Sequence, residues 1–321
     1  MREQEVAGKI LCFGNLQLDV LCRTVTELPP PGQLRAIESI DLVLSGNAGN
    51  VAMVLGRLGF SVELAGYSGA DVVGEQLRAV LAENGVGTGK LLRHPCIGTG
   101  TSVITLTPRG ERSVIFVNGA NACFDLSAVP DHWLDDLRVL YVGSIFVLPQ
   151  FSGEAVGALC ARARARGITT VLNICWDAEG RGLSFLEPAL RETDYFILNY
   201  DEGQLLTSEK QPERIIERLE ACTAGSVVVT LGEQGCCLRQ AGRWHHIPAR
   251  PVQATDCTGA GDSFTAGFIA GLILGWSPVA CAHLGCYLAS LAVTGPGVYT
   301  RIPSFEQIRG ALQGVLDKSD H

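Results

Sequence analysis

No Cys-x-x-Cys pair occurs in this 321-residue chain, although it holds 12 cysteines. They are scattered, and Cys236 and Cys237 are adjacent, so their spacing suggests neither a zinc site nor a disulfide framework. Buried small hydrophobes in a reducing compartment fit this usage, and the expected location is the cytoplasm. Positive charge is scarce: 25 Lys and Arg face 33 Asp and Glu, a net charge of -8. That balance argues against a nucleic-acid partner. It leaves room for an anionic nucleotide, because a helix N-terminus and a bound cation can handle phosphate locally. Long hydrophobic runs are missing too. Residues 1–9 are polar, with no signal-peptide core. The longest apolar run, Phe264 to Trp276, is too short and too rich in Gly and Ala to span a bilayer, so no membrane partner is expected. Gly-x-Gly-x-x-Gly, Walker A and Gly-x-Ser-x-Gly elements are absent, which removes the main support for dinucleotide enzymes, P-loop NTPases and α/β-hydrolases. The six histidines show no ligand spacing, and His245-His246 read as structural or surface residues.

What the chain does have is apolar mass, 47% hydrophobic against 18% charged, enough for a sizeable core. Short apolar runs recur at Ile10–Phe13, Val139–Val142, Thr169–Ile174, Tyr195–Leu198 and Val227–Leu231. Helix-like segments lie among them, including Ala48–Leu58, Val72–Asn84, Gly153–Arg166, Pro212–Ala221 and Ser263–Leu274. Continuously apolar strands alternating with helices imply an α/β protein with a mostly parallel sheet covered on both faces. Two regions break the rhythm. Leu18–Leu44 carries Thr, Val and Ile around Pro29-Pro30-Pro31-Gly32, and Gly98–Val117 reads as a hairpin turning at Pro108–Gly110. No repeat, low-complexity tract or linker stands out, so 1–321 reads as a single domain, its last four residues frayed.

The most informative segment is Asp256-Cys257-Thr258-Gly259-Ala260-Gly261-Asp262. Small residues at 259–261 let the backbone approach a ligand, and the helix-like stretch that follows aims free N–H groups and a positive dipole end at the turn. A carboxylate beside such an anion site can take the proton from an attacking hydroxyl, which phosphoryl transfer needs. Taken alone, the segment reads equally well as a capped helix after a Gly-rich turn.

This segment resembles the C-terminal signature of the ribokinase-like (PfkB) carbohydrate kinases, usually Asp-Thr-Thr-Gly-Ala-Gly-Asp, with Cys257 in place of Thr. Ser45-Gly46-Asn47-Ala48-Gly49-Asn50-Val51-Ala52 resembles the N-terminal signature, Gly-Gly-x-x-x-Asn-x-Ala, with Ser45 in place of the first Gly. Between them, in the family's order, stand Gly66-x-x-Gly69-x-Asp71-x-x-Gly74, Gly110-Glu111-Arg112, Asn199-x-x-Glu202 and Thr230-Leu231-Gly232-x-x-Gly235. Each is weak; six in order are strong. The resemblance implies a three-layer α/β/α ribokinase-like fold, with a small β-sheet lid formed within about 16–44 and 98–123. In many members the lid also pairs two subunits, so a homodimer is expected.

The resemblance implies the following roles. Asp262 is the general base, with Gly259, Ala260 and Gly261 offering N–H groups to the transferred phosphate. Asn199 contacts the ATP triphosphate, Glu202 holds Mg2+ through water, and Thr230, Gly232 and Gly235 form the nucleotide turn. Glu202 as an ordinary helix-start carboxylate, and Gly235 as a plain turn glycine, are the bland alternatives. Asp256 and Thr258 match positions that help hold a monovalent cation such as K+. Asp19, just beyond the first strand, would bind sugar hydroxyls, with Gln17, Gly46, Asn47 and Asn50 completing a neutral cradle. Arg112 either reaches an anionic substrate or is a solvated hairpin residue. The expected activity is ATP-dependent phosphorylation of a hydroxyl on a small sugar. The runner-up, a nucleoside kinase, would want Phe116, Leu34 and Ile37 to stack a base. A non-catalytic sensor of sugar or nucleotide is disfavoured, because such a protein has no reason to keep Asp262 beside its anion hole.

Overall fold

A computed structural model describes residues 8–316 except 110 and 296, with side chains through residue 310. Gly110 of the Gly110-Glu111-Arg112 motif and the C-terminal residues 318–321 therefore lie outside the described residues. The chain opens with β1 (Lys9–Phe13), β2 (Gln17–Arg23), β3 (Ser39–Ser45), α1 (Asn47–Leu58), β4 (Val62–Gly69) and α2 (Val72–Glu83). Two short strands, β5 (Val86–Gly87) and β6 (Leu91–His94), precede the hairpin of β7 (Thr101–Leu106) and β8 (Arg112–Val117). Strands and helices then alternate through β9 (Leu137–Val142), α3 (Gly153–Arg164), β10 (Thr169–Asn173), α4 (Gly182–Leu190) and β11 (Tyr195–Asn199). After α5 (Tyr200–Thr207) and α6 (Pro212–Glu220) come β12 (Ser226–Thr230), β13 (Cys236–Gln240) and β14 (Arg243–Ile247). Three helices end the chain: α7 (Ala260–Ile273), α8 (Pro278–Ala292) and α9 (Phe305–Leu316).

The main sheet has the order β14-β13-β12-β11-β10-β9-β1-β4-β5, with β6 also paired to β4. It is parallel from β12 to β5 and antiparallel at the β12-β13-β14 edge. Its central strands are buried on both faces, which is why they read as unbroken apolar runs. One core packs Val51, Leu55, Tyr141, Phe264 and Phe268 on the α1–α7–α8 side, and a second packs Phe13, Phe151, Leu159 and Phe196 on the other. Helices α7 and α8 are apolar all round, as buried helices are. Gly267 and Gly285 let them touch, since a Cβ on Gly267 would come within 2.8 Å of the Gly285 backbone. A separate four-stranded sheet, β3-β2-β7-β8, forms the lid. No helix among the described residues is long and apolar enough to cross a membrane.

Candidate active site

Helix α7 begins at a left-handed Gly259 (φ 73), where a Cβ would strike Val298 Cγ1 at 1.9 Å. No side chain caps this helix among the described residues, so its first turn keeps free N–H groups and the positive dipole end. Beside Gly261 a Cβ would meet nothing within 4 Å, so the turn opens onto space. One expected donor is engaged otherwise: the Ala260 N–H donates to Cys257 O at 3.3 Å, closing the turn that aims the others. Asp262 sits in the first turn and is buried. Burial pushes its carboxyl up to about 7, the Asn50 hydrogen bond works against that, and the negative charge of Asp19 adds to it. Asn50 Nδ2 donates to Asp262 Oδ2 at 2.7 Å, while Asn50 Oδ1 is buried without a partner among the described residues.

The carboxyl ends of β11 and β12 face the same region, where doubly wound sheets bind ligands. Asn199 caps α5 by accepting from the Glu202 N–H at 2.9 Å, and Glu202 Oε2 accepts from the Asn199 N–H at 2.9 Å. That capping box gives Glu202 the helix-start role the bland alternative named. It does not explain why Glu202 is buried, with its carboxyl raised to about 7 by burial and by the charge of Asp262. Burial raises both carboxyls, and the charge of Asp262 adds to the rise at Glu202. Thr230 ends β12 with its hydroxyl 3.4 Å from Leu198 O, and a Cβ on the left-handed Gly232 would meet open space. A Cβ on Gly235 would lie 1.9 Å from Ile247 O, so this glycine is packed closely against the end of β14, as the turn-glycine alternative has it.

Asp19 lies within lid strand β2, inside the 16–44 span expected for the lid. It is buried and accepts from Gln17 Nε2 at 2.7 Å and from Ser102 Oγ at 2.5 Å. From there hydrogen bonds run into the main sheet. Asn15 Nδ2 donates to Gln17 Oε1 at 3.2 Å, and Asn15 Oδ1 accepts from the Asn47 N–H at 2.9 Å and from Ser144 Oγ at 2.6 Å. Asn47 Oδ1 accepts from Ser144 at 3.0 Å, and its Nδ2 donates to Asn173 Oδ1 at 3.0 Å. Asn15, Ser102, Ser144 and Asn173 were not singled out from the sequence. Asn15 and Asn173 sit at the carboxyl ends of β1 and β10, a position that could have flagged them. Gly46 is forced: with φ 95, a Cβ there would come within 2.5 Å of Asn15 O.

A narrow crevice between lid and α7 turn is lined by Asp19, Ser45, Asn50, Asp256, Thr258 and Val298. Asp256 Oδ1 accepts from the Thr258 N–H at 2.9 Å, and Arg23 of the lid lies 3.6 Å from Asp256 Oδ2. Strand register puts Phe116 opposite Ser102, on the lid face that carries Asp19, with more than half of it exposed. Arg112 shares that face at the exposed end of β8.

Residues 7–304 match the model of the pfkB family carbohydrate kinases. A ribokinase from Bacillus subtilis (strain 168) is 27% identical over 304 residues, covering 94% of this chain and 99% of the relative. A fructokinase from Klebsiella pneumoniae is 30% identical over 323 residues, with 95% and 99% covered. Among solved structures, Arabidopsis thaliana ribokinase complexed with ribose and ATP superposes with a TM-score of 0.83 at 21% identity, over 96% of this chain and 99% of that one. At that identity the superposition speaks for the fold.

Proposed function

Since the chain belongs to the pfkB family of carbohydrate kinases, we propose that it transfers the γ-phosphate of ATP to a hydroxyl of a small sugar, with Asp262 as general base. One observation carries this reading: Asp262 is a buried carboxyl pushed up to about 7, in the same first helical turn as free N–H groups that open onto space. Such a group can accept a proton at neutral pH while the helix end stabilises the charge gathering on the phosphate. Asp19 and the Gln17–Asn15–Asn47 chain support a neutral, hydroxyl-rich substrate, since they offer donors and acceptors without a cation. Magnesium, held through water by Glu202, would neutralise phosphate charge; Asn199, Thr230 and Gly232 would line the nucleotide side. Asp256 already has the Arg23 guanidinium beside it, so a potassium-class ion near Asp256 and Thr258 would rest chiefly on backbone carbonyls.

A nucleoside kinase is the second reading, and the observation favouring it is Phe116, an exposed ring on the lid face that carries Asp19. The test is ADP release from Mg-ATP across pentoses, hexoses, sugar acids, sugar phosphates and nucleosides, with Asp262→Asn in parallel. The expected result is turnover on a sugar that falls roughly 10²–10⁴-fold in the variant. Turnover on nucleosides alone would move the substrate class, and undiminished turnover in Asp262→Asn would sink the base. ATP binding without turnover on any member of the panel would favour a sensor.

A further inference from the structure

Cys237 and His246 stand directly opposite each other across the antiparallel β13–β14 hairpin, so their side chains leave the same face. Onto that face α6 brings Glu213 in its first turn. His246 Nε2 lies 3.0 Å from Glu213 Oε1 and 3.8 Å from Cys237 Sγ, and the three ligand atoms lie within 4.8 Å of one another. We propose that Cys237, His246 and Glu213 bind one zinc-class divalent ion, with solvent completing its coordination, at the sheet edge and apart from the catalytic carboxylates.

A thiolate, an imidazole nitrogen and a carboxylate are the donors zinc takes, and three protein ligands plus water make a tetrahedral site. Metal–ligand bonds of about 2.0–2.3 Å separate tetrahedral ligand atoms by roughly 3.3–3.8 Å. Two of the contacts are already near that range. Glu213, whose side chain is a third exposed, can close the remaining gap by rotation. Two neighbouring guanidiniums are engaged elsewhere, Arg214 with Glu217 and Arg239 with Glu220. The spacing of 24 and 9 residues hides the set from any linear motif. The competing account is a surface His–Glu ion pair over a buried cysteine, which has the same geometry and no metal affinity.

Cobalt separates the two accounts. Metal-free full-length protein is titrated with Co2+, which gives an intense thiolate-to-metal charge-transfer band when a cysteine ligates it. The expected result is one equivalent bound, a band that zinc displaces, loss of the band in Cys237→Ser, and at least about tenfold weaker binding in His246→Gln. Cys96→Ser, at an exposed thiol elsewhere, keeps the band. Circular dichroism checks the fold; should Cys237→Ser fail to fold, the exposed His246→Gln decides. The proposal is overturned by no band at stoichiometric cobalt, by unchanged affinity in His246→Gln, or by a band that survives a folded Cys237→Ser.

Discussion

Asp262 and Glu202 are held in an environment that disfavours the charge each needs for its proposed task. Burial raises both carboxyls to about 7, and each feels the other's negative charge or that of a further aspartate. A raised folded pKa means that the folded state binds protons more tightly than the unfolded chain. The stability gained is fully present below the unfolded values of roughly 4 and is lost as pH rises through about 7. Asp262→Asn removes part of that penalty. Without ligands, the variant should therefore melt above the wild type at pH 8, with the gap shrinking by pH 5; thermal unfolding at both values checks this. Activity moves the opposite way. The wild-type kcat/KM should rise with pH through about 7, because only the ionised Asp262 can take the hydroxyl proton. A flat profile between pH 6 and 8 would remove the argument that this carboxyl is tuned for the reaction.

The elements that hold the site were partly legible beforehand. Apolar runs such as Val139–Val142 and Tyr195–Leu198 announced β9 and β11, because strands buried on both faces have no polar side to interrupt them. The signatures around Gly46 and Asp262 were legible for a related reason: their glycines answer a local backbone demand visible in one segment. Long-range contacts left no such trace. Ser102 meets Asp19 from 83 residues away, and Ser144 meets Asn15 from 129, so neither partner is visible in its own neighbourhood. Gly235 stayed open between two roles, because a turn glycine and a ligand-facing glycine look alike in sequence and the close approach of the Ile247 backbone has no local trace. The start of α1 offers a direct test. Gly46→Ala places a methyl 2.5 Å from Asn15 O at φ 95 and ψ 137, a sparsely populated conformation that costs an alanine about 1–3 kcal/mol before the clash. Since the Asn47 N–H and Asn15 Oδ1 bond lies at the same joint, the variant should lose stability and sugar affinity together. A KM unchanged beside a lowered melting temperature would separate this turn from the substrate site.

At the scale of the whole molecule, the lid has two faces with different chemistry. Register places Asp19, Ser102 and Phe116 on one face, over the crevice, and Val20, Leu42, Val103 and Ile115 on the other. Ile40 and Val117 join that second face, and Ile40, Leu42, Ile115 and Val117 are each more than half exposed. A continuous apolar sheet face at the end of a water-facing lid costs free energy unless something covers it. The homodimer expected from the family resemblance would cover it, because two such faces can bury one another about a two-fold axis. Dimer formation would also stiffen the sheet that carries Asp19, coupling assembly to substrate binding. Ile115→Lys puts a charge midway along edge strand β8 of that face, pointing away from the crevice. The wild type should sediment as a dimer at micromolar concentration, and Ile115→Lys as a folded monomer whose sugar KM rises severalfold while its ATP KM holds. A monomeric wild type would sink the assembly outright. A monomeric variant with an unaltered sugar KM would keep the interface but break its link to the site, leaving Asp19 positioned by the Ser102 and Gln17 bonds alone.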